Sequence, residues 1–286
     1  MGINRSMLRY VPQPRDDETP LRQAIIRLAA QYGRYGYRQI TGLLWQEGWD
    51  VSRSRVERIW KLEGLRVPQK QPKRGRLWLA DGSCIRLRPE RRNHVWSWDF
   101  VMDQTESGGT FRILTLIDEH TRQCLATHVA WSIRAQDVLT VLEQVMRKHG
   151  TPEHIRSDNG PEFVAYAIQD WLAAKQIKTL YIKPGSPWEN AYIESFHDKL
   201  RDECLNREVF GTLAEARVII NAWRHEYNEC RPHSSLGYRT PAEAAARCQT
   251  SLRPHLATLD ETSATFDSAT EPPHINNSPR TPKLHW

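Results

Sequence analysis

The sequence predicts an α/β fold, with a mixed five-stranded sheet flanked by helices and a small all-α domain ahead of it. Three observations predict this. Residues 95–182 hold five short strand-like runs, three consecutive and two separated by helical periodicity. The connections among the first three are short, which makes them antiparallel, while the later strands follow helices and run parallel. Residues 20–65 show only helical periodicity, broken at glycines.

The elements follow in order. Residues 1–19 form an N-terminal arm. Thr19-Pro20 offers an N-cap and a proline at the first helical turn. Leu21, Ile25, Leu28, Ala29 and Tyr32 then fall on one face. Gly33 and Gly36 interrupt the pattern, and 37–47 resumes it with Ile40, Leu43 and Leu44 inward. Ser54-Arg-Val-Glu57 has the spacing of a capping box, opening a third helix that Gly64 stops. Val56, Ile59 and Trp60 should pack, and Arg53, Arg55, Arg58 and Lys61 should be exposed. Three short helices ending in a basic one suit a helix-turn-helix-like reader of the major groove. They would equally suit a bundle that braces the next domain or dimerises.

A basic linker spans 66–92, with nine Lys/Arg against Asp81 and Glu90. That window nets +7 in a chain of +6, so the basicity is local. Such a stripe suits a phosphate backbone, each neutralised phosphate releasing counterions; a solvated linker has the same composition.

From 93 to 248 the pattern changes. The strands are 95–102, 111–118, 123–131, 154–157 and 178–182. Helices occupy 135–149, 162–175 and 189–205. This βββαβαβα order matches a ribonuclease H-like layout. Trp96, Trp131, Trp171 and Trp223 read as core. Residues 249–286 hold ten Ser/Thr and five Pro among 38, with few large apolar groups, a composition that predicts a disordered tail.

Composition excludes other classes. A 39% hydrophobic chain of 286 residues can bury a core. No run of about 18 apolar residues exists, so no membrane span is expected. Residues 1–14 lack an apolar signal core, which points to a cytoplasmic protein. The five cysteines, 84, 124, 204, 230 and 248, form no CxxC pair and read as reduced packing residues.

Three carboxylates fall where the layout can bring them together. Asp99 lies on the first strand, on the face opposite Trp98 and Phe100. Asp158 lies just past the fourth strand. Glu194 lies in the helix after the fifth, with 35 residues between it and Asp158. Converged carboxylates repel and need cations; hard oxygen donors favour Mg²⁺ or Mn²⁺. Two such ions can activate a nucleophile and stabilise a leaving oxygen in phosphoryl transfer. The chain has 34 acids, however, and Asp103, Asp118 and Glu119 lie nearby, so spacing leaves the choice open.

Five stretches carry a resemblance. They are Trp98-Asp-Phe100, Leu116-Ile-Asp-Glu-His-Thr-Arg122, Ser157-Asp-Asn-Gly-Pro-Glu-Phe163, Asn190-Ala-Tyr-Ile-Glu-Ser-Phe196 and Arg231-Pro-His-Ser-Ser-Leu-Gly-Tyr-Arg-Thr-Pro-Ala-Glu243. Tyr35-Gly-Tyr-Arg-Gln-Ile40 adds to them. Over residues 20–247 the chain resembles insertion-sequence transposases of the IS-three type, OrfB-like, within the retroviral-integrase superfamily. The resemblance implies a ribonuclease H-like fold with Asp99, Asp158 and Glu194 as catalytic residues and metal ligands of a DDE site. It implies Mg²⁺ as cofactor, two ions with Mn²⁺ as substitute, and metal-dependent cleavage of element ends with 3′-OH strand transfer. The implied partners are end and target DNA, further copies of the chain in a synaptic complex, and an upstream-frame product or fusion. Nucleoid association in a bacterial cytoplasm follows. A catalytically inactive DNA-binding relic and a metal nuclease without joining activity are the rivals.

The groups expected to face DNA are Arg53, Arg55, Arg58 and Lys61 of the third helix, Lys73, Arg74 and Arg76 of the stripe, Lys183, and Asn190, Lys199 and Arg201 around the glutamate helix. The family commonly carries basic residues one and two turns past the glutamate. Here those positions are Asp198 and Arg201, so Arg201 keeps the expected charge and Asp198 does not. Asn159 and Gly160 would shape the loop holding Asp158, and His197 is expected on the surface. Residues 1–93 contain no histidine and one cysteine, Cys84. A zinc-binding N-domain is therefore not expected, and no Cys/His cluster is visible.

Overall fold

The computed structural model describes residues 16–68, 87–158, 166–182 and 190–250. The arm up to residue 15, Lys73, Arg74 and Arg76 of the stripe, Asn159, Gly160, Lys183, and the tail beyond residue 250 lie outside the described residues.

The helical region comprises α1 (Glu18–Gln31), α2 (Tyr37–Gln46) and α3 (Arg53–Leu62). Leu21, Ile25, Leu28, Ile40, Leu43, Leu44, Val56, Ile59 and Trp60 form one core. Two helix starts differ from expectation. α1 begins at Glu18 with Asp17 in the N-cap position. Pro20 is thus the third helical residue, where its missing N–H would have had no helical partner anyway. α3 is capped by Ser52, whose side chain accepts from the Arg55 N–H. The box centred on Ser54 does not form; Glu57 pairs with Lys61 one turn on, at 2.8 Å. Arg55 was expected exposed and is mostly covered, because the acidic start of α1 packs beside it.

The sheet has the order β3-β2-β1-β4-β5, from β1 (Val95–Gln104), β2 (Thr110–Asp118), β3 (Cys124–Ala130), β4 (His154–Ser157) and β5 (Lys178–Tyr181). β1 pairs antiparallel with β2 and parallel with β4. β5 pairs parallel with β4. The crossover helices are α4 (Ala135–His149) and α5 (Tyr166–Ala174). Period-2 alternation along β1 divides the molecule. Trp96, Trp98, Leu114 and Leu116 face α4 and α5, packing with Val138, Leu142, Ile168 and Leu172. Val101, Ile113 and Ile117 face the other way, against α6 (Ala191–Leu200) and α7 (Leu213–Glu229) through Ile193, Phe196, Ile220 and Trp223.

Two further expectations change. The predicted helix 189–205 ends as an α-helix at Leu200 and continues as a π-helical turn, Arg201–Leu205. The wider turn lets Cys204 and Leu205 be buried. Trp131 is not core: it is half exposed, just past the end of β3, with its ring edge-on to Phe111. Trp96 and Trp223 are buried, and Trp171 packs against the core from its rim. Cys124, Cys204, Cys230 and Cys248 are free thiols. Among the described residues no helix is long and apolar enough to cross a membrane.

The helical region is seated on residues 202–239. A Cβ at Gly42 would lie 2.7 Å from Pro232, so only glycine allows this approach. Trp45 meets Tyr238 edge-on, and the Arg53 guanidinium lies 4.3 Å over the Tyr238 ring. Arg34 pairs with Asp202. Arg231, buried and paired with Glu203 at 2.5 Å, also lies over Tyr35. A short 3₁₀ turn, Ser234–Leu236, and α8 (Pro241–Thr250) complete this part.

His233 sits in this seam, 5% exposed, with its ring edge-on to Tyr227. Burial, with the positive charges of Arg231, Lys199 and Arg122, holds its imidazole neutral and pushes its pKa down to about 2. The unfolded chain takes up this proton below about pH 6.5 and the folded chain does not. The contribution is therefore complete above pH 6.5 and is lost as pH falls, by about 1.4 kcal/mol per pH unit. Urea unfolding between pH 7.5 and 5 should show this loss, and His233→Phe should remove one proton's worth of the slope.

Candidate active site

Asp99 stands on the central strand of the sheet. Its register partner on β2 is Thr115, whose hydroxyl donates to the Asp99 carbonyl at 2.9 Å. Oδ1 accepts the Phe100 N–H at 2.7 Å. On the other side, Ser97 is level with Arg156 of β4. Two residues further along parallel strands, Asp99 is therefore level with Asp158, an exposed residue just past the β4 end. Glu194 lies half-buried in the first turn of α6, the helix packed over the Asp99 face. Sheet and helix thus bring these three carboxylates to one end of the strands.

Electrostatics reports their proximity. Burial pushes the Asp99 carboxyl up to about 7; the charges of Asp158 and Glu194 add to this, against the Phe100 N–H, which lowers it. A cation among the three would reverse the effect.

The neighbouring acids are committed elsewhere. Asp118, 1% exposed, is the partner of Trp96, three pairs from Asp99 or about 10 Å along the strand. Its Oδ2 accepts the Asn93 N–H at 2.7 Å, and its Oδ1 accepts from the Thr121 N–H and hydroxyl at 2.7 and 2.9 Å. Glu119 accepts from Arg156 Nε at 2.8 Å and from the Ser97 hydroxyl. Asp118 therefore shapes a turn, and Glu119 ties β1 to β4.

His197 was expected on the surface and is beside Asp99. It follows Glu194 by three residues, on the same side of α6. Its Nδ1 lies 3.6 Å from Asp99 Oδ2, and its Nε2 lies 2.8 Å from Thr115 Oγ1. Burial pushes its pKa down to about 4. The i, i+3 spacing from Glu194 was the available signal. Thr115 carried none, because its role depends on strand register.

The residues expected to face DNA separate into groups. Arg201 is exposed at the start of the π-helical turn. Lys199 is half-buried, and its Nζ donates to the Ser195 carbonyl and hydroxyl at 2.7 Å. Arg53 is exposed but stacked on Tyr238. Arg58 and Lys61 are exposed and paired with Glu18 and Glu57; such surface pairs exchange readily for phosphate. Two assignments are corrected. The Arg55 side chain is 12% exposed and bonded to Asp17 and Glu18, so reaching a phosphate would break a covered network. Asn190 is buried at the N-cap of α6, not exposed as a DNA contact requires, and makes no capping bond.

A Cys/His cluster was not visible in the sequence, yet His94, Glu153 and His154 bring ligand atoms within 4.8 Å of one another. Among the described residues this is the set drawn that close; the oxygens of Asp99, Asp158 and Glu194 are spread more widely. The proton arrangement of His94 opposes metal binding. Its Nδ1 accepts the Glu90 N–H at 3.1 Å, so the ring's single proton sits on Nε2, facing Glu153. The Glu153 carboxylate is in turn held by Arg91.

Comparison with known proteins places this geometry. The integrase core domain family matches residues 89–187, and a second integrase core domain family matches 175–241. An HTH-like domain family matches 15–73. A 31.7 kDa protein of insertion element IS407 from Burkholderia multivorans is 37% identical over 92% of this chain and 92% of its own. The IS904 transposase of Lactococcus lactis is 30% identical over 74% of this chain and 87% of its own. The HTLV-2 integrase catalytic core, solved with magnesium, is similar over 55% of this chain and 99% of its own, with 17% identity and a TM-score of 0.45. The fold and the family together define a DDE-type polynucleotidyl transferase with an integrase core. The chain belongs to the insertion-sequence transposases of the IS-three type, OrfB-like.

Arg55→Ala should lower stability by about 1 kcal/mol, the loss of its charge-assisted hydrogen bonds to Asp17 and Glu18, because Glu18 keeps Arg58 and Asp17 keeps solvent. It should leave the salt dependence of DNA affinity unchanged. A phosphate contact at Arg55 would instead reduce that slope by about 0.9, a difference that binding titrations at several salt concentrations resolve.

Proposed function

We propose that the chain cuts the ends of its element and joins the resulting 3′-OH to target DNA at a site built by Asp99, Asp158 and Glu194, with two Mg²⁺ ions, or Mn²⁺ in their place. The observation that carries this is Asp99, half-buried on the central strand and raised to about 7 with two carboxylates acting on it. Its environment penalises negative charge, and a hard divalent cation relieves that penalty. The donor set fits such an ion, because all three groups offer oxygen. Asp99 would contribute to holding both ions, and Asp158 and Glu194 would each help hold one. When bound, the ions supply charge neutralisation, a more acidic water or 3′-hydroxyl, and stabilisation of the leaving oxygen.

The protein's own contribution is positioning. In cleavage a water oxygen bonds to phosphorus and the 3′ oxygen leaves, giving a 3′-OH and a 5′-phosphate. In joining, that 3′ oxygen bonds to a target phosphorus and the target's own 3′ oxygen leaves, its proton coming from solvent. Neither step needs a covalent bond to the protein. β1 fixes Asp99 against β2 and β4, and α6 carries Glu194 over the same face. Arg201 and Lys199 offer cations on the continuation of that helix. Arg53, Arg58, Lys61 and the stripe residues Lys73, Arg74 and Arg76, with Lys183, supply contacts to phosphate. Two copies holding two ends, with an upstream-frame product where the element encodes one, would complete the assembly at the nucleoid of a bacterial cytoplasm.

Asp99→Asn, Asp158→Asn and Glu194→Gln should each reduce cleavage and joining by orders of magnitude while DNA binding persists. Asp118→Asn should lose stability but keep the chemistry. A folded Asp99→Asn protein that still cuts DNA would remove Asp99 from the site.

Joining separates a transposase from a nuclease. A pre-cut element end with a free 3′-OH should become covalently linked to a second DNA in Mg²⁺ or Mn²⁺, and a chelator should abolish this. The upstream-frame product belongs in the assay if the flanking DNA encodes one. Metal-dependent nicking without any joined product from the complete system would leave only the nuclease reading.

A further inference from the structure

Among the described residues, His197 is a side chain that reaches the Asp99 carboxylate. It is braced from behind. The Thr115 hydroxyl has one proton, and it goes to the Asp99 carbonyl at 2.9 Å. At 2.8 Å, Thr115 Oγ1 must therefore accept from His197 Nε2–H. A neutral ring that donates through Nε2 presents a lone pair at Nδ1. That lone pair lies 3.6 Å from Asp99 Oδ2. Two electron-rich atoms held so close repel unless a proton or a cation lies between them.

We propose that His197 is a nitrogen ligand of the metal site, binding through Nδ1 the same divalent ion as Asp99 Oδ2. This rests on the carboxylate site proposed above and adds to it a donor of a different kind. Two donors about 2.1 Å from one ion at right angles stand about 3.0 Å apart, so the observed separation needs only a small closure. The Thr115 hydroxyl is the outer partner that fixes the ring's tautomer and orientation, as ligating histidines require. An imidazole among carboxylates also shifts selectivity. Mg²⁺ prefers oxygen alone, whereas Mn²⁺ stands with the transition metals that accept imidazole. His197 thus tunes the site toward Mn²⁺.

The test reads the ion directly. Mn²⁺ is added to the full-length protein with a pre-cut DNA end, and electron spin-echo envelope modulation is recorded for directly bound ¹⁴N. Wild type should show one imidazole nitrogen coupled to Mn²⁺. His197→Gln should lose that coupling and bind Mn²⁺ about tenfold more weakly, with a smaller loss for Mg²⁺. Thr115→Val keeps the ring but frees Nε2, and should weaken Mn²⁺ binding in the same direction. Mn²⁺ that is bound in wild type, displaced by Asp99→Asn and free of nitrogen coupling would overturn the His197 assignment while sparing the carboxylate site. Mn²⁺ unaffected by Asp99→Asn would overturn both.

Discussion

The position of residue 99 on a strand hydrogen-bonded along both edges is the constraint on which the site depends. β1 is fixed antiparallel to β2 over nine residue pairs and parallel to β4 over three. A slip of one residue would exchange Asp99 with Trp98 or Phe100 and put a carboxylate into an apolar core. Burial of the two tryptophans on one face therefore enforces a carboxylate on the other. The stabilisation is apolar, about 25 cal/mol for each Å² of apolar surface removed from water, but its consequence is electrostatic. It holds Asp99 level with the end of β4, where Asp158 emerges, and beneath the helix that carries Glu194.

Around this point the fold distinguishes acids that complete structure from acids that can meet a cation. Asp118 has both oxygens engaged by donors from Asn93 and Thr121. Glu119 and Glu203 are each matched to a buried arginine, Arg156 and Arg231. Removing one member of such a pair would leave an uncompensated buried charge, which costs about 3–5 kcal/mol. Among the described residues no arginine is seen to act on Asp99. Its pKa is raised, whereas an ion-paired carboxylate would have it lowered. The contrast between Asp118 and Asp99, on paired strands, supports Asp99 for the proposed chemistry more clearly than sequence spacing does.

Much of this was legible in the sequence because it depends on local rules. Alternating apolar residues marked the strands, and residues 154–157 and 135–149 were delimited as they stand. Helix periodicity gave the three-helix core. What was missed depends on partners far along the chain. Arg55 lost its expected exposure to Asp17, 38 residues earlier. His197 left the surface for Asp99 and for Thr115, 82 residues away. Trp131 was counted as core because it extends an alternating pattern, but β3 ends at Ala130 and the residue beyond has no second sheet to cover it. The π-helical turn after Leu200 gave no periodic signal over so few residues. Asn190 looked like a polar contact at a helix start, and only its burial shows otherwise.

The helical region has a consequence for the site that its small size conceals. Gly42 closes directly on Pro232, and Arg34 reaches Asp202 in the π-helical turn that extends the Glu194 helix. Glu203, one residue on, binds Arg231, which lies over Tyr35. The route from α2 to α6 is thus a few packed side chains and two ion pairs. Such contacts resist displacement, because interiors packed to crystal-like density do not deform continuously. α3 is held against α1 by the Arg55 network and against the seam by Arg53 on Tyr238. DNA bound to its outer face would therefore bear on the segment carrying Glu194 through these packed contacts. In the proposed function, the packed seam would set the angle between a DNA held by the bundle and the three carboxylates.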